Sequence, residues 1–196
     1  MMRYVLGLAT IVVCCVSCAP RFPEITDSSK RLNIVSGVSV LPPQEPEWHI
    51  VRMTQSQLFL AKRSKTDGES YATVVWSYDL PHLDTEQDFL KVLSEGRAAE
   101  PQTGRNTNIK REENLVRGRG ALCVHFHEVS EDNAAHVGTE TKVMVLEGSG
   151  YHCQHPKNKR IGVRMSYSHR HFAGNDDPAM ETKANAFLDQ VQFTDF

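Results

Sequence analysis

The sequence predicts an α+β domain, built mainly from an antiparallel β-sheet that is covered by helices. Short runs rich in β-branched and aromatic residues follow one another through most of the chain, and such runs are typical of strands. Only two segments have helical periodicity, and they do not alternate regularly with the strands. That order favours α+β over a parallel α/β fold.

Residues 1–17 have the pattern of a signal peptide. Arg3 is their only charge, and an apolar run from Tyr4 to Val16 follows it. A membrane-spanning helix needs about 20 apolar residues, whereas this shorter run ends in small residues, as before a cleavage site. The segment CVSC at 15–18 then resembles the lipobox of bacterial lipoproteins, although Cys15 stands where leucine is usual. The resemblance implies that Cys18 carries a lipid, and an ordinary secreted protein cleaved nearby is the alternative.

This N-terminal pattern predicts the domain organisation. Removal of residues 1–17 would leave 179 of the 196 residues, and the formal net charge would change only from −2 to −3. Residues 18–31, rich in proline and polar side chains, are expected to form the lipidated N-terminus and a flexible tether. Residues 32–196 are expected to form a single globular domain. The balanced charge and the exported address argue against nucleic acid as a partner.

The first half of the domain predicts a meander followed by a helix. Prolines 42 and 43 should end the first strand because proline cannot donate to a β-ladder, and a turn is expected at Asp67–Gly68. The predicted strands lie in NIVSGVSV, WHIVRM, QLFLAKR and YATVVWSY. In the helix DTEQDFLKVLSEG, we expect Asp84 to cap the start, Gly96 to end it, and one stripe to be buried. That stripe comprises Phe89, Val92 and Leu93.

The second half predicts three further strands and a closing helix. Residues 97–120 carry an excess of three positive charges, and we interpret them as a solvated loop or hairpin, with a lip for anionic polymer or lipid as the alternative. The strands ALCVHFHEV, KVMVLEGSGYHC and IGVRMSYSH follow, with a bulge expected at Gly148 and Gly150. Asp177 should cap the closing helix and Pro178 should begin it. Its expected buried face comprises Met180, Ala184, Phe187, Leu188 and Val191.

This order of elements is similar to the PsbP/Mog1-like α/β/α sandwich domains. The similarity rests on GVSVLPPQEPEW near the start, a helix after the first meander, three further strands and the closing FLDQVQF. It implies a non-catalytic accessory or assembly role and supplies no catalytic residue. Motif inspection agrees, since EGSGY around Ser149 lacks the outer glycines of a nucleophile elbow. We therefore predict no enzyme activity and no cofactor.

Histidines are concentrated in the last third of the domain. Side chains alternate along a strand, so Cys123, His125 and His127 share one face. His125 and His127 could bind one metal ion from that face, although the spacing does not identify a third ligand. Surface histidines without a metal are the preferred interpretation. The six histidines concerned are His125, His127, His152, His155, His169 and His171.

The cysteines predict one disulfide. Two of the five leave with the leader and Cys18 carries lipid, so Cys123 and Cys153 remain as a pair in an oxidising compartment. Placing them opposite each other in neighbouring strands centres the hairpin on Gly138 and sets His125 opposite Tyr151. Two reduced, buried cysteines are the alternative.

The combined prediction is a membrane-tethered bacterial envelope lipoprotein that acts as a non-catalytic binding or accessory module. Its expected partners are the membrane, through the lipid anchor, and an envelope protein or another envelope component. It is expected to be lipid-anchored at the outer membrane or its periplasmic face rather than free in the periplasm. The alternative is a metal-binding protein or metal-dependent enzyme that uses His125 and His127.

Overall fold

A computed structural model describes residues 22–34, 36–99, 103–117 and 120–195. The strands and helices, in chain order, are β1 (Leu32–Ile34), β2 (Val38–Val40), β3 (His49–Met53), β4 (Gln57–Arg63), β5 (Ser70–Asp79), α1 (Glu86–Ala98), β6 (Asn106–Val116), β7 (Cys123–Val137), β8 (Glu140–Gln154), β9 (Ile161–His171), α2 (Met180–Leu188) and β10 (Gln192–Phe193). Within these residues no helix is long and apolar enough to cross a membrane.

The structure is mostly antiparallel β-sheet with two helices, which confirms the predicted α+β class. One sheet has seven strands in the order β3-β4-β5-β9-β8-β7-β6, and a small sheet has the order β1-β2-β10. Every pair of neighbouring strands is antiparallel. Most of the polar segment 97–120 belongs to the end of α1 and to β6, which pairs with β7 as the edge of the large sheet. The hairpin interpretation of that segment is therefore confirmed.

The two helices contribute to separate apolar clusters. The buried side chains of α2 pack with Val163, Met165 and Tyr167 of β9, in the cluster that also contains Cys123. Phe89 and Leu93 of α1 pack with Val124 of β7. Cys123 and Val124 are consecutive in one strand, so their side chains point to opposite faces of the sheet. The predicted helical stripes are buried, except that Val92 is only partly covered and that the buried Val191 lies beyond the end of α2.

The helix ends differ from the sequence prediction. Thr85, not Asp84, is the N-cap of α1, because its hydroxyl accepts from the Asp88 N–H in a capping box. The helix also continues past Gly96 to Ala98. Asp177 does not cap α2 directly: its carboxylate accepts from the Ala179 N–H, and the helix begins only at Met180.

The expected bulge at Gly148 and Gly150 is wrong. Both glycines lie in uninterrupted register with β7 and β9, and the irregularity of this hairpin falls between Asp132 and Ala135. Gly150 is instead required by close packing. A Cβ there would lie 2.2 Å from the Met165 carbonyl oxygen and 2.8 Å from Cζ of Phe126, whose ring covers the glycine.

Part of the predicted tether lies against the sheet. The Ile25 N–H donates to the Trp48 carbonyl at 2.8 Å, and the Ile50 N–H donates to the Pro23 carbonyl at 2.9 Å. Glu24 forms an antiparallel bridge with His49 at the start of β3. These backbone bonds hold residues 23–25 at the sheet edge. The prediction of a flexible tether is therefore wrong for this part of residues 18–31.

Candidate functional site

Cys123 and Cys153 lie opposite each other in β7 and β8, as predicted. Their sulfur atoms are 2.08 Å apart, which is disulfide distance. The register also sets His125 opposite Tyr151, and the strands turn immediately after Val137, through Gly138. Both cysteines are buried in the main apolar cluster. Cys18, the predicted lipid attachment site, lies outside the described residues.

His125 and His127 share a face of β7, but each has its own partner in β8. Nε2 of His125 lies 3.0 Å from the Ser149 hydroxyl, and Nε2 of His127 lies 2.9 Å from a carboxylate oxygen of Glu147. Burial lowers the pKa of His125, and the charge of His127 adds to this effect. No group of three potential metal ligands is found in the part of the chain that the structure describes. The geometry therefore adds no third ligand to the predicted pair.

A cleft of about 390 Å³ lies at the other end of this sheet face. The pairing of β5 with β9 forms it, because Tyr71 stands opposite His169 and the adjoining loops close around them. We call it the histidine cleft, and its volume lies at the lower end of the usual range for ligand sites. Its lining comprises Ser64, Thr66, Glu69, Tyr71, His169, Asn175, Asp176, Asp177 and Pro178.

His169 is the unusual member of the histidine cleft. Only 2% of its surface is exposed, yet neither ring nitrogen has a hydrogen-bond partner. Its two ring faces are occupied, since Tyr71 stacks on it at 4.2 Å between centroids and His171 lies at 4.6 Å. Buried polar atoms are normally paired, and leaving one unpaired costs about 1–3 kcal/mol. The edge of this ring is therefore the one unsatisfied polar feature of the cleft lining.

The acidic side chains of the cleft already have donors. Burial opposes the charge of Glu69, but hydrogen bonds from Asn175 and the Phe172 N–H outweigh it and hold its pKa below the usual value. Burial likewise opposes the charge of Asp177, and Lys183, the Ala179 N–H and Tyr71 lower its pKa. The carboxylate oxygens of both side chains therefore already accept hydrogen bonds from protein groups.

Tyr71 and His169 remain in their neutral forms. Burial first, and the hydrogen bond to Asp177 at 2.9 Å second, raise the pKa of the Tyr71 hydroxyl. Burial, and then the neighbouring His171, lower the pKa of His169. A neutral imidazole carries one donor and one acceptor. The lining of the cleft thus contains a buried, neutral imidazole with an unpaired donor and an unpaired acceptor, beside carboxylates that already have donors.

The preferred interpretation of the histidines as surface residues is wrong for three of them. His155, His169 and His171 are 0%, 2% and 1% exposed. His155 is held by the Gly37 carbonyl at 2.9 Å, whereas Nε2 of His171 has no partner. The histidine cleft was not found from the sequence, because its residues come from two segments about 100 positions apart. The available signals were the Asp67–Gly68 turn and the paired Asp176 and Asp177.

Comparisons with known proteins do not identify a family for this chain. No protein-family model matches the sequence, and no curated protein matches it significantly. Among solved structures, the chain is similar to a mutant of protein Mog1, with a TM-score of 0.48 and 10% identity. The alignment covers 85% of this chain and 96% of that chain.

Proposed function

We propose that this chain is a lipid-anchored bacterial envelope lipoprotein that acts as a non-catalytic binding or accessory module. The leader, the CVSC segment and the cysteine pair support the address, since two cysteines at disulfide distance suit an oxidising compartment. Cys18 carries the lipid in this proposal, and the protein faces the periplasm from the outer membrane. The partner is another envelope component.

The proposed fold family is the PsbP/Mog1-like sandwich, with one helix on each face of the large sheet. Support comes from the separate apolar clusters of α1 and α2, which use neighbouring β7 residues that point in opposite directions. In this arrangement α2 borders the face that contains the histidine cleft.

One observation carries the binding role: His169 is buried in the lining of the histidine cleft with both ring nitrogens unpartnered. A bound polar group that accepts from one nitrogen and donates to the other would remove this deficit. The other polar groups of the cleft favour binding over catalysis. Glu69 and Asp177 have occupied oxygens, and the Tyr71 hydroxyl, with its raised pKa, donates to Asp177.

Site-directed photo-crosslinking in intact cells tests the binding role. The photoreactive residue replaces Asp176, a cleft residue whose side chain is 78% exposed, and a matched control replaces His82, which is 77% exposed near α1. We expect a specific adduct from position 176 and none from position 82. His169→Phe, which keeps the stacked ring and removes both nitrogens, should abolish the adduct without lowering the melting temperature. An adduct that survives this change would contradict the cleft as the binding site.

Intact mass of the membrane-extracted protein tests the anchor independently. We expect a chain that begins at Cys18 and carries acyl groups. A different first residue, or an unmodified Cys18, would refute the lipoprotein part of the proposal.

A further inference from the structure

The sheet face opposite α2 carries arginine and apolar side chains over β3, β4, β5 and β9. Alternation from the strand registers places its residues, and these four strands contribute no carboxylate to this face. Two carboxylates adjoin it: Asp132 of β7 lies 3.7 Å from Arg170, and Glu24 bridges His49 at the β3 edge. We call this surface the arginine face. It contrasts with the whole chain, whose formal net charge is −2. Its charged and larger apolar members are Arg52, Arg63, Arg164, Arg170, Phe59, Val74 and Trp76.

Two exposed aromatic side chains lie on the arginine face near the β3–β4 end of the sheet. Phe22 and Trp76 are 47% and 44% exposed. Trp76 stands opposite Gln57, the first residue of β4. Phe22 lies two residues before Glu24, which bridges His49, and His49 stands opposite Ala61 on this face. Met53, opposite Leu58, points to the other face. We call Phe22 and Trp76 the apolar corner.

Arginines lie on both sides of Trp76. Arg52 stands opposite Phe59, in the neighbouring row, and its Nη1 donates to Oε1 of Gln57 at 3.4 Å. Gln57 is the partner of Trp76 in β4. On the other side, Arg164 is the partner of Trp76 in β9 and lies over the Phe126 ring at 5.1 Å. The Trp76 ring therefore lies between a guanidinium that reaches Gln57 and one that packs on Phe126.

The proposed anchor lies close to this corner, and here the inference rests on the proposed function. Cys18 precedes Phe22 by four residues, so even a fully extended chain spans only about 14 Å between them. Because residues 23–25 are bonded to the edge of the sheet, a lipid on Cys18 would hold Phe22 within that distance of the bilayer and bring the β3 edge of the sheet close to it.

We infer that the apolar corner and its flanking arginines dock directly on an anionic membrane surface. Tryptophan favours the interfacial region of a bilayer, and arginine pairs with lipid phosphates through its planar donors. The exposed apolar side chains favour a membrane over a soluble polyanion as the occupant, because they need an apolar phase. Docking would orient the sheet so that α2 and the histidine cleft, on the other face, point away from the membrane.

Tryptophan quenching tests this docking, because the chain has two tryptophans and Trp48 is only 1% exposed. The full processed protein, with its lipid verified by intact mass, is reconstituted into vesicles of brominated phosphatidylcholine with or without phosphatidylglycerol. We expect quenching that increases with phosphatidylglycerol and is lost in Trp76→Phe. Arg52→Glu should reduce the quenching at least twofold. Lys110→Glu, the same charge change on the opposite edge strand, should leave it unchanged.

The outcomes separate the docking from the anchor. Lipidated protein without quenching of Trp76, or equal quenching in Arg52→Glu and Lys110→Glu, would overturn the docking and leave the anchor intact. A protein without lipid would overturn both. A third outcome would identify a different partner. If soluble polyphosphate shields Trp76 from an aqueous quencher while brominated vesicles do not quench it, the surface binds an anionic polymer and not a membrane, and the inference is overturned.

Discussion

Two His-x-His pairs lie on the same face of the large sheet, and they differ in almost every physical respect. His125 and His127 of β7 each have a hydrogen-bonding partner from β8. His169 and His171 of β9 are buried, stacked on each other, and have three unpartnered ring nitrogens between them. The same short motif therefore provides a satisfied pair in one strand and an unsatisfied pair two strands away.

The strand between the two pairs explains the difference. In the β8–β9 register, Glu147 stands opposite His169, but its carboxylate bonds to His127. Ser149, the next residue on this face of β8, bonds to His125. The polar groups of β8 are thus directed to β7, and β9 receives Tyr71 as a stacking surface instead. A histidine pair acquires its role from its neighbouring strands, not from its own spacing.

The largest expected effect concerns the cysteine pair, which aligns β7 with β8 and so gives His125 and His127 their partners. A bridge that closes 30 residues should contribute about 3–4 kcal/mol by restraining the unfolded chain. We expect urea denaturation of the wild type to shift by this amount on addition of reductant. The variant with both Cys123→Ala and Cys153→Ala should be insensitive to reductant. An equal reductant effect in the two proteins would show that no bridge forms.

Part of the pH dependence of stability should come from His169 of the buried pair. The pKa of His169 lies below its ordinary value of 6.5 because of burial and then His171, while Asp177, Glu69 and Glu147 oppose this without reversing it. The folded protein then binds this proton less readily than the unfolded chain. The resulting stability is complete above about pH 6.5 and decreases as the pH falls toward the folded-state pKa.

His169→Phe should therefore flatten the stability profile between about pH 6.5 and 5. The limit for one proton is about 1.4 kcal/mol per pH unit. His152, whose pKa burial lowers to about 3, and His125, whose pKa burial also lowers, keep the rest of the slope in this variant. The exposed control His82→Gln should retain the wild-type profile. Identical profiles for His169→Phe and the wild type would mean that His169 does not contribute.

At neutral pH the two pairs should respond to the same substitution with opposite sign. His169→Phe keeps the ring stack and removes two unsatisfied nitrogens, so we expect stability to rise by about 1 kcal/mol. His127→Phe removes the contact with Glu147 and should lower stability by about 0.5–1 kcal/mol. Chemical denaturation at pH 7.5 measures both. A loss of stability in His169→Phe would indicate that its nitrogens are satisfied in solution.

The smallest effect on stability should follow removal of the Glu147 carboxylate, which stands opposite His169 but bonds to His127. Glu147→Ala deprives His127 of its partner, but both side chains are partly exposed, so screening limits the loss to about 0.5 kcal/mol. Glu131→Ala on the same face of β7 serves as the control, because among the described residues its carboxylate accepts from Thr107 and Asn108 of β6. In a double-mutant cycle, Glu147→Ala should couple to His127→Phe and not to His169→Phe. Coupling to His169→Phe instead would show that Glu147 is the partner of His169 and not of His127.

The sequence by itself determined the elements whose signals are local. The β-branched runs and helical stripes predicted the α+β class and the buried faces of α1 and α2. The two cysteines and the Gly138 turn predicted the β7–β8 register, because a hairpin joins strands that are consecutive in the chain. The exact caps were less predictable, since Asp84 and Thr85 are both good capping residues and only the backbone geometry chooses between them.

Only the tertiary structure decided which non-consecutive strands meet. Pairing of β5 with β9 placed Tyr71 on His169, and the closing loops brought Glu69 and Asp177 beside them. Strand alternation predicts which residues share a face, but burial depends on what covers that face. His169 is therefore buried beneath its neighbours although its sequence resembles that of the half-exposed His127, because long-range packing sets the environment of a side chain and its local spacing does not.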